Sequence, residues 1–553
     1  MDRFRTLPEA LDEAARSSAG YTFVTNGVEV RRSYAEIQQT SFRIAGALRA
    51  AGLKRGDLVA LMIDEAAQFL TSLFGASIAG LVPASVAPPS FTGDRSRYFE
   101  LTAGILRAAR VRAVIASAAL VAGCDAVRAS CPDLTLVLSR DDLDAPPLEP
   151  EALPSLDDVA LVQFTSGSTS SPKGVALSHR NLSVNIDAIN GPFGIATASG
   201  DSAVSWLPLY HDMGLVGMAL GPLYAARPAV LLTPQAFIKR PAEWLKAMSR
   251  YRATVSFAPN FAYDLAVRRV RDGDLEGLDL SCWRVAGCGA EPIHAPTLAA
   301  FADRFAPVGF RATSFLPSYG LAEHVLVATF PSRDRRPRVE YISATQLTER
   351  RRAVVEPPGE SSLALVSCGR ALPGHEIRIV GKDGAPIGER EVGEITLAGP
   401  SVMLGYYRDA DLTEQTIRRG WLHTGDLGYM SDAELFVCGR TKDLIIVNGR
   451  KYHPQDLEWA VADIVGTRRG RIVAFGAAES GGSDRVVIVF EPSGTAAADV
   501  VAGAIRRRIS DAFGLYVNEV VSVPRGTIGR TTSGKVQRTA TKSRYDAGRS
   551  FPW

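Results

Sequence analysis

The sequence predicts an α/β protein with a large N-terminal domain, built of two α/β subdomains and a small β subdomain, and a small α+β C-terminal domain. Helical segments alternate with short apolar runs to about residue 329, short alternating strands take over at 361–405, and a hairpin, a helix and further elements follow residue 442. At 553 residues the chain exceeds what one hydrophobic core usually supports, so at least two domains are expected.

The N-terminal elements follow from hydrophobic periodicity. Residues 34–51 predict a helix, 58–63 a strand and 66–79 a second helix. An apolar run at 159–164 enters a loop, after which Ser178 is the expected N-cap of a helix through Asn190. Further strands are predicted at residues 229–232, 254–258 and 283–286. The α/β organisation therefore extends over most of the N-terminal domain.

The β subdomain and the C-terminal domain have different patterns. Residues 376–380 and 394–397 predict strands on either side of the turn pair Asp383-Gly384. Between this subdomain and the α/β region, residues 331–360 are rich in Arg, Glu and Pro and weakly periodic, which indicates an insertion.

We expect the domain boundary between 1–441 and 442–553. The C-terminal elements are a strand at 444–447, the turn Asn448-Gly449, a helix opened by Pro454 and running through Val465, a strand at 486–490 and a helix at 497–513.

Composition excludes several classes of function. The net charge of +3 is small for this length, and the basic C-terminal tail lacks interleaved aromatic residues, so no nucleic-acid partner is expected. No segment reaches the roughly 20 apolar residues of a membrane span, and the N-terminus lacks an apolar signal core. Six cysteines without C-x-x-C spacing indicate reduced thiols. We therefore expect a cytoplasmic protein.

The loop at residues 163–175 combines Gly, Ser and Thr with Lys173. Small side chains let backbone N–H groups close around phosphate oxygens, and the lysine ammonium adds charge. The loop differs from the P-loop of NTPases because no second glycine precedes the lysine. For the loop alone, a solvated turn is the alternative.

Five stretches stand in one order along the chain: residues 163–175, 206–214, 318–323, 421–426 and 532–538. Together they resemble the adenylate-forming superfamily of acyl-CoA synthetases, peptide-synthetase adenylation domains and luciferases, over nearly the whole chain. Within it, residues 207–215, 289–292 and 319–323 look most like the fatty acyl-AMP ligases.

The resemblance implies a two-step reaction with ATP and Mg²⁺, in which a medium- or long-chain fatty carboxylate attacks the α-phosphorus of ATP and pyrophosphate leaves. Glu323 would reach the Mg²⁺, for which a carboxylate oxygen is a suitable ligand. The residues that would hold the leaving phosphates are Thr165, Ser166, Gly167, Ser168, Thr169 and Lys173.

Further roles are implied in the same way. Asp426 would accept the ribose hydroxyls, Arg440 would contact ribose or phosphate, and Lys535 would reach the carboxylate and the α-phosphate. His211 would line the carboxylate end of the pocket. A surface position is the alternative for Arg440 and Lys535, and a buried hydrogen-bonded histidine is the alternative for His211. The residues that would frame the adenine are Gly289, Ala290, Glu291, Tyr319 and Gly320.

For the second step, the resemblance implies that the small domain rotates about a hinge at Lys442 and that the acyl group passes to the phosphopantetheine thiol of an acyl carrier protein. In that family the insertion, here 331–360, restrains the C-terminal domain and disfavours free CoA. Such ligases serve lipid, polyketide or lipopeptide pathways. Because carrier proteins are acidic, we expect basic residues to steer one in, namely Arg525, Arg530, Arg538, Lys542 and Arg544.

Two other functions stay open at this stage. One is an ordinary acyl-CoA synthetase that uses free CoA. The other is a non-catalytic nucleotide- or acyl-binding relative, against which the joint presence of Lys173, Glu323, Asp426 and Lys535 speaks. The sequence also departs from the family at position 324, where His replaces a small residue, and at Ser170, where the wider superfamily commonly has Gly.

Overall fold

The computed structural model describes residues 4–548 except 90–94, 150–151, 166–172, 360–361, 449, 465–470, 479–483, 494–496 and 530–535. Two seven-stranded sheets organise the α/β region. In order across the first sheet the strands are Phe315–Pro317, Val285–Cys288, Val255–Ala258, Ala203–Ser205, Ala229–Leu232, Gly20–Thr25 and Val28–Ser33. In order across the second they are Gly405–Tyr406, Lys173–Ser178, Val159–Thr165, Val82–Ser85, Leu58–Met62, Ala113–Ala116 and Leu136–Ser139.

Parallel pairing dominates both sheets, with antiparallel strands at one edge of each. Strands covered on both faces are apolar throughout, as at Leu58–Met62, where every residue is buried. The predicted strand at 229–232 has the predicted bounds, and those at 58–63, 159–164 and 254–258 differ by one residue at one end. The strand predicted at 283–286 lies two residues later, at Val285–Cys288.

Helices cover the two sheets and connect the strands. Ser178 caps helix His179–Asn190 as predicted, because its side chain accepts a hydrogen bond from the Asn181 backbone N–H. The α-helices of the described residues are Leu7–Ala15, Tyr34–Ala50, Ala66–Ile78, Arg95–Ala108, Ala118–Arg128, His179–Asn190, Gly221–Tyr224, Pro234–Lys239, Ala242–Arg250, Asn260–Arg269, Ala295–Phe305, Ala344–Arg350, Ala410–Thr416, Pro454–Ala460, Ala498–Phe513 and Arg538–Asp546.

The β subdomain is a five-stranded antiparallel sheet. Its strands are Glu376–Val380, Gly393–Ala398, Trp421–Ser431, Ile417–Arg418 and Glu434–Arg440. Two short pairs adjoin it: Thr329–Phe330 with Arg370–Ala371, and Val339–Ser343 with Ser362–Val366.

The region predicted as an insertion holds more regular structure than its weak periodicity indicates. Strand Val339–Ser343 pairs antiparallel with Ser362–Val366, and helix Ala344–Arg350 follows it directly. Glu340 anchors the strand: its buried carboxylate accepts hydrogen bonds from Arg390, Tyr429 and Ser431 of the β subdomain and from Arg338. These charge-assisted bonds compensate for burying the carboxylate.

The C-terminal region has its own apolar core. Strands Ile472–Ala478, Asp484–Phe490 and Glu519–Ser522 form a three-stranded sheet, and Ile445–Val447 pairs with Arg450–Tyr452 as a hairpin. A cluster of buried residues running from Ile445 to Val517 is separate from the main cluster. Among the described residues, no helix is both long and apolar enough to cross a bilayer.

Candidate active site

The predicted motifs meet in one cavity of about 1380 Å³. The loops after strands Ala203–Ser205, Val285–Cys288 and Phe315–Pro317 carry three of them, and these strands belong to one sheet in parallel. Carboxyl ends of parallel strands share one edge, which is where ligands bind in open α/β sheets. The predicted site residues that line the cavity are Lys173, His211, Gly289, Ala290, Glu291, Tyr319, Gly320, Glu323, Asp426 and Arg440.

The other predicted site residues are not among the described residues that line the cavity. Thr165 is the last residue of strand Val159–Thr165, and it pairs directly with Lys173 of the neighbouring antiparallel strand. Ser166, Gly167, Ser168, Thr169 and Lys535, as well as Ser170, lie outside the described residues.

Asp426 is the buried centre of a hydrogen-bonded cluster that also includes Tyr319 and the exposed Arg440. It is 5 % exposed, and its two carboxylate oxygens accept hydrogen bonds from the Tyr319 hydroxyl at 2.8 Å and from Arg440 Nε at 2.7 Å. Burial, and then the neighbouring Asp426 charge, raise the pKa of Tyr319, so the phenol remains a donor. Each carboxylate oxygen keeps further acceptor capacity toward the cavity.

Glu323 and Lys173 approach each other through Tyr406, which sequence reasoning missed. The Tyr406 hydroxyl donates to Glu323 Oε1 at 2.9 Å, and Lys173 Nζ lies 5.0 Å from the centre of the Tyr406 ring. Tyr406 belongs to strand Gly405–Tyr406, which pairs with Lys173–Ser178. That pairing brings a cation and a carboxylate from distant motifs to one aromatic ring.

The backbone around Glu323 is tightly constrained. A Cβ on Gly320 would come within 1.7 Å of the Leu326 carbonyl oxygen, so only glycine fits there. Val325 has φ 65° and ψ −65°, and the Leu326 N–H donates to the His324 carbonyl at 2.8 Å. This is a γ-turn in its strained form, at a β-branched residue.

Buried polar groups hold that turn in place. The Asn185 amide nitrogen donates to the Val327 carbonyl at 2.8 Å and to Ser401 Oγ at 3.1 Å. His324 Nδ1 lies 3.1 Å from the same Val327 carbonyl, which makes Nδ1 the protonated nitrogen. Burial lowers the pKa of His324 to about 3, so the ring is neutral. His375, 5.1 Å away between ring centres, bonds Ser401 Oγ at 2.7 Å.

The cavity wall at residues 289–291, which was predicted to frame the adenine, is also shaped by close backbone contacts. A Cβ on Gly289 would come within 2.8 Å of the Ser318 carbonyl oxygen. Ala290 has φ 65°, a conformation that is costly for a residue with a side chain. Glu291 Oε1 accepts the Phe261 backbone N–H at 2.5 Å. The 289–291 turn is therefore held rigidly against strand Phe315–Pro317 and the start of helix Asn260–Arg269.

His211 stands at the entrance to an eight-residue π-helix, Met213–Leu220. Its Nδ1 lies 2.5 Å from Asp212 Oδ1, and Asp212 also accepts the Met213 backbone N–H at 2.7 Å. Asp212 therefore caps the helix and orients the imidazole. A Cβ on Gly214 would come within 2.2 Å of the Pro208 carbonyl oxygen, which fixes the motif's glycine sterically. π-Helical segments recur at functional sites.

A face of the C-terminal region closes the cavity. Helix Pro454–Ala460 contributes Gln455, Asp456 and Trp459 to the lining, and the Trp459 ring lies 4.7 Å from the ring of His294. Asp456 is 8 % exposed, and burial raises its pKa to about 8. The helix ends at Ala460 rather than continuing to Val465 as predicted.

The prediction that Arg538 is free to attract a carrier protein is wrong. Its guanidinium bonds Asp443 Oδ2 at 3.0 Å and Glu458 Oε1 at 2.8 Å, and its side chain is 18 % exposed. Arg525 and Arg544 are exposed, Lys542 is half-buried, and Arg530 lies outside the described residues.

A salt bridge joins the inserted segment to the C-terminal region. Glu349, in helix Ala344–Arg350, forms a 2.7 Å salt bridge with Arg450 of the hairpin strand Arg450–Tyr452. Both side chains are partly exposed.

The side chains fit magnesium bound mainly through phosphate and water. Within the described part of the chain, no group of three or more His, Cys, Asp or Glu side chains could hold a metal by itself. Glu323 faces the cavity with one oxygen bonded to Tyr406 and its other oxygen available in the same carboxylate. Mg²⁺ commonly takes one or two carboxylates and completes its shell with waters and substrate phosphates.

The chain is similar to known proteins over nearly its whole length. A putative acyl-CoA synthetase of Caulobacter vibrioides is 37% identical over 558 residues, which covers 99% of this chain and 96% of that protein. The medium-chain-fatty-acid–[acyl-carrier-protein] ligase JamA of Moorena producens is 34% identical, covering 100% of this chain and 96% of the relative. A solved structure from studies of fatty acyl-adenylate ligases of E. coli and L. pneumophila has a TM-score of 0.92 at 38% identity, covering 99% of this chain and 98% of that one.

The likeness to that solved structure confirms the predicted fold class. The sequence profile of the AMP-binding enzymes matches residues 11–407, which is well over half of the chain. The chain therefore belongs to the family of AMP-binding enzymes, in the adenylate-forming superfamily that includes the fatty acyl-AMP ligases.

Proposed function

We propose that this protein is a fatty acyl-AMP ligase that uses ATP and Mg²⁺ to activate a medium- or long-chain fatty acid and passes the acyl group to an acyl carrier protein in the cytoplasm. The observation that carries the proposal is the meeting of Lys173, Glu323, Asp426 and Arg440 around one cavity that continues between apolar walls. These residues supply positive charge, a metal-binding oxygen and a ribose acceptor to the same space.

In the first step a carboxylate oxygen of the fatty acid attacks the α-phosphorus, and the bond to the β-phosphate oxygen breaks to release pyrophosphate. Lys173 neutralises the departing phosphates, while Asp426, held by Tyr319 and Arg440, fixes the ribose. Mg²⁺ on Glu323 would neutralise phosphate charge. We assign Lys535 to the carboxylate and the α-phosphate.

In the second step the thiol sulfur attacks the acyl carbon, AMP leaves, and the thiol proton is released. We propose that residues 1–441 and 442–553 act as two domains and that the smaller one reorients at Lys442 between the steps. The Glu349–Arg450 salt bridge, which crosses the boundary between the two domains, supports a restrained resting arrangement. This restraint favours a carrier protein, which can bind the domain itself, over free CoA.

The test is an assay with labelled fatty acid, ATP and Mg²⁺ in which free CoA and a phosphopantetheinylated carrier protein are offered separately. We expect acyl-adenylate to accumulate without an acceptor and only the carrier to be acylated. Lys535→Ala should abolish adenylate formation, while Lys54→Ala, at an exposed position, is the matched control.

Two results would contradict the proposal. Efficient acylation of free CoA would make the protein an acyl-CoA synthetase, the activity for which the Caulobacter relative is named. Absence of adenylate with any fatty acid would favour a non-catalytic binding protein.

A further inference from the structure

The cavity extends well beyond the nucleotide site. Its lining includes Ala203 and Val255, the first residues of two parallel strands, as well as Asn260, which follows one of them. Because the strand starts lie at the edge opposite the motif loops, the cavity runs along the sheet. Asn260 lies five positions after Val255, a distance of roughly 16 Å at the usual rise of a strand. This passage, called the tunnel below, is long enough to hold part of an acyl chain.

The middle of the tunnel is apolar. Its walls come from helix His179–Asn190, the π-helix Met213–Leu220 and the strands they cover. The apolar side chains that line it there include Ile189, Met213, Met218, Phe257, Leu326 and Phe330.

The far end is polar and carries a cation. Arg227 lies two residues before strand Ala229–Leu232 and lines the cavity. Its backbone is fixed: the N–H donates to the Pro222 carbonyl at 2.8 Å, and its own carbonyl accepts the Tyr34 hydroxyl at 2.6 Å. Its side chain therefore starts from a defined position at the end of the tunnel.

The guanidinium of Arg227 lacks the partners that such a group usually has. Its Nε is buried without a hydrogen bond, and the described part of the chain provides no ion pair for the guanidinium. Arg284, which bonds the Ile195 carbonyl at the same end, shows the contrast: its Nε donates to Asp201 at 2.8 Å and an Nη donates to the second Asp201 oxygen. Asp201 is thus already bound by Arg284, and the Arg227 guanidinium is left without a carboxylate partner among the described residues.

An unsatisfied donor at the end of an apolar tunnel has a consequence for substrate choice. A methyl terminus that reaches Arg227 would displace water from the Nη groups of this half-buried side chain and leave their N–H donors without the hydrogen bond that water had accepted. A terminal oxygen would accept that hydrogen bond, and a carboxylate would do so with charge assistance and in a two-oxygen geometry that suits guanidinium.

We propose that Arg227 is a specificity-determining residue and that the preferred substrate is an acyl chain with an oxygen-bearing ω-terminus, with a carboxylate preferred over a hydroxyl. This inference rests on the proposed function, because it takes the tunnel to be the acyl site. Asn190 and Thr197, which bond each other and line the same end, provide further polar surface around the terminus.

The experiment compares matched acids from octanoate to hexadecanoate, each as the plain acid, the ω-hydroxy acid and the α,ω-diacid. Adenylation is followed by pyrophosphate release, and kcat/KM is measured for each. At the chain length that fills the tunnel, we expect the ω-oxygenated acids to exceed the plain acid by roughly 10- to 100-fold, the usual worth of a hydrogen bond to a charged group. Arg227→Met should lower that ratio at least about tenfold. Arg335→Met, at an exposed position, is the matched control.

A second measurement tests the inference without enzyme turnover and without relying on a folded variant. Thermal shifts of the wild-type protein with plain acid and with diacid report the preference of the tunnel directly. Preference for the plain acid at every length in both measurements would overturn the inference, as would an unchanged ratio in a folded Arg227→Met protein. Failure of the proposed function would look different, since no acid of any class would then release pyrophosphate.

Discussion

At the scale of single residues, Asp426 provides the most direct test of the site. Asp426→Asn removes a charge that holds Tyr319 and Arg440 and leaves Arg440 facing a neutral amide. Hydrogen bonds to charged groups contribute about 1.5–3 kcal/mol, so we expect kcat/KM for ATP to fall by roughly 10- to 100-fold. Steady-state pyrophosphate release measures it. Asp133→Asn, at an exposed position, is the control, and equal kinetics for both variants would remove Asp426 from the site.

His324 follows Glu323 directly and lies in the constrained turn, and its contacts predict different outcomes for two substitutions. His324→Asn keeps a donor toward the Val327 carbonyl, whereas His324→Leu removes it from a buried turn. We expect the Leu variant to lose about 1–3 kcal/mol of stability and to show a raised KM for ATP, because the turn holds Glu323. The Asn variant should retain both properties more closely.

Thermal melting and the KM for ATP, measured against the KM for fatty acid, separate a positioning role from a purely structural one. A structural role alone would lower the melting temperature of the Leu variant and leave the KM for ATP as it is. Identical behaviour of the Asn and Leu variants would show that the Nδ1 hydrogen bond has no part in placing Glu323.

Residues of the site were predictable where chemistry fixes the residue type within a motif, as for Lys173, Glu323 and Asp426, which share one cavity in the structure. Tyr406 was not predictable, because its partner Glu323 is 83 residues away and the pairing of two strands brings them together. Arg538 was mispredicted because a run of basic residues does not reveal which member finds buried carboxylates.

At the scale of elements, strands were predicted to within one or two residues wherever apolar runs were bounded by turn signals, as at Glu376–Val380. The inserted segment was harder. Strand Val339–Ser343 is held by the ion-pair network of Glu340, which leaves no hydrophobic period in the sequence. The π-helix Met213–Leu220 was equally unpredictable, because its apolar residues fit ordinary core packing.

Helix Pro454–Ala460 carries a buried carboxyl whose titration affects stability. The pKa of Asp456 is about 8 in the folded protein and about 3.9 when unfolded. Between these values the unfolded chain has released the proton while the folded protein still binds it, so stability falls as pH rises toward about 8 and is level above. Asp456→Asn has no proton to lose and should gain, relative to wild type, on the order of a few kcal/mol at alkaline pH.

Chemical denaturation of both proteins at several pH values checks this sign. The nearby Glu458 raises the pKa of Asp456 further and is present in both proteins, so the comparison isolates one group. A stability difference that is constant from acid to alkaline pH would contradict the expected protonation of Asp456.

At the scale of the whole molecule, the salt bridge between Glu349 and Arg450 joins the inserted segment to the C-terminal region. Both side chains are partly exposed, so the pair contributes about 1 kcal/mol or less. Glu349→Arg should therefore raise the ratio of acyl-CoA to acyl-carrier product only severalfold, and Glu349→Arg combined with Arg450→Glu should return it toward wild type. The ratio of the two products is measured in an assay that contains both acceptors. If the double variant gives the same ratio as the single variant, the Glu349–Arg450 pair does not control the choice of acceptor.

The exposed basic residues predict how a carrier protein docks. Charge reversal at Arg525 and Arg544 should slow acyl transfer at low salt and leave adenylation unchanged, because rim charges act mainly on association rates. Arg538→Glu should instead destabilise the protein, since it would place a carboxylate beside Asp443 and Glu458. Transfer rates across a salt series test this, and insensitivity to the first two reversals would move the docking surface elsewhere.

The pairing of Arg538 with Asp443 limits which backbone torsions can change when the C-terminal region reorients. Arg440 is bound to Asp426 on one side, and Asp443 is bound to Arg538 on the other. Only Thr441 and Lys442 lie between these two anchored residues, which leaves about four backbone torsions. If both anchors persist, any reorientation of the C-terminal region is concentrated in these torsions, so a proline at either position, which fixes one φ angle, would restrict that reorientation.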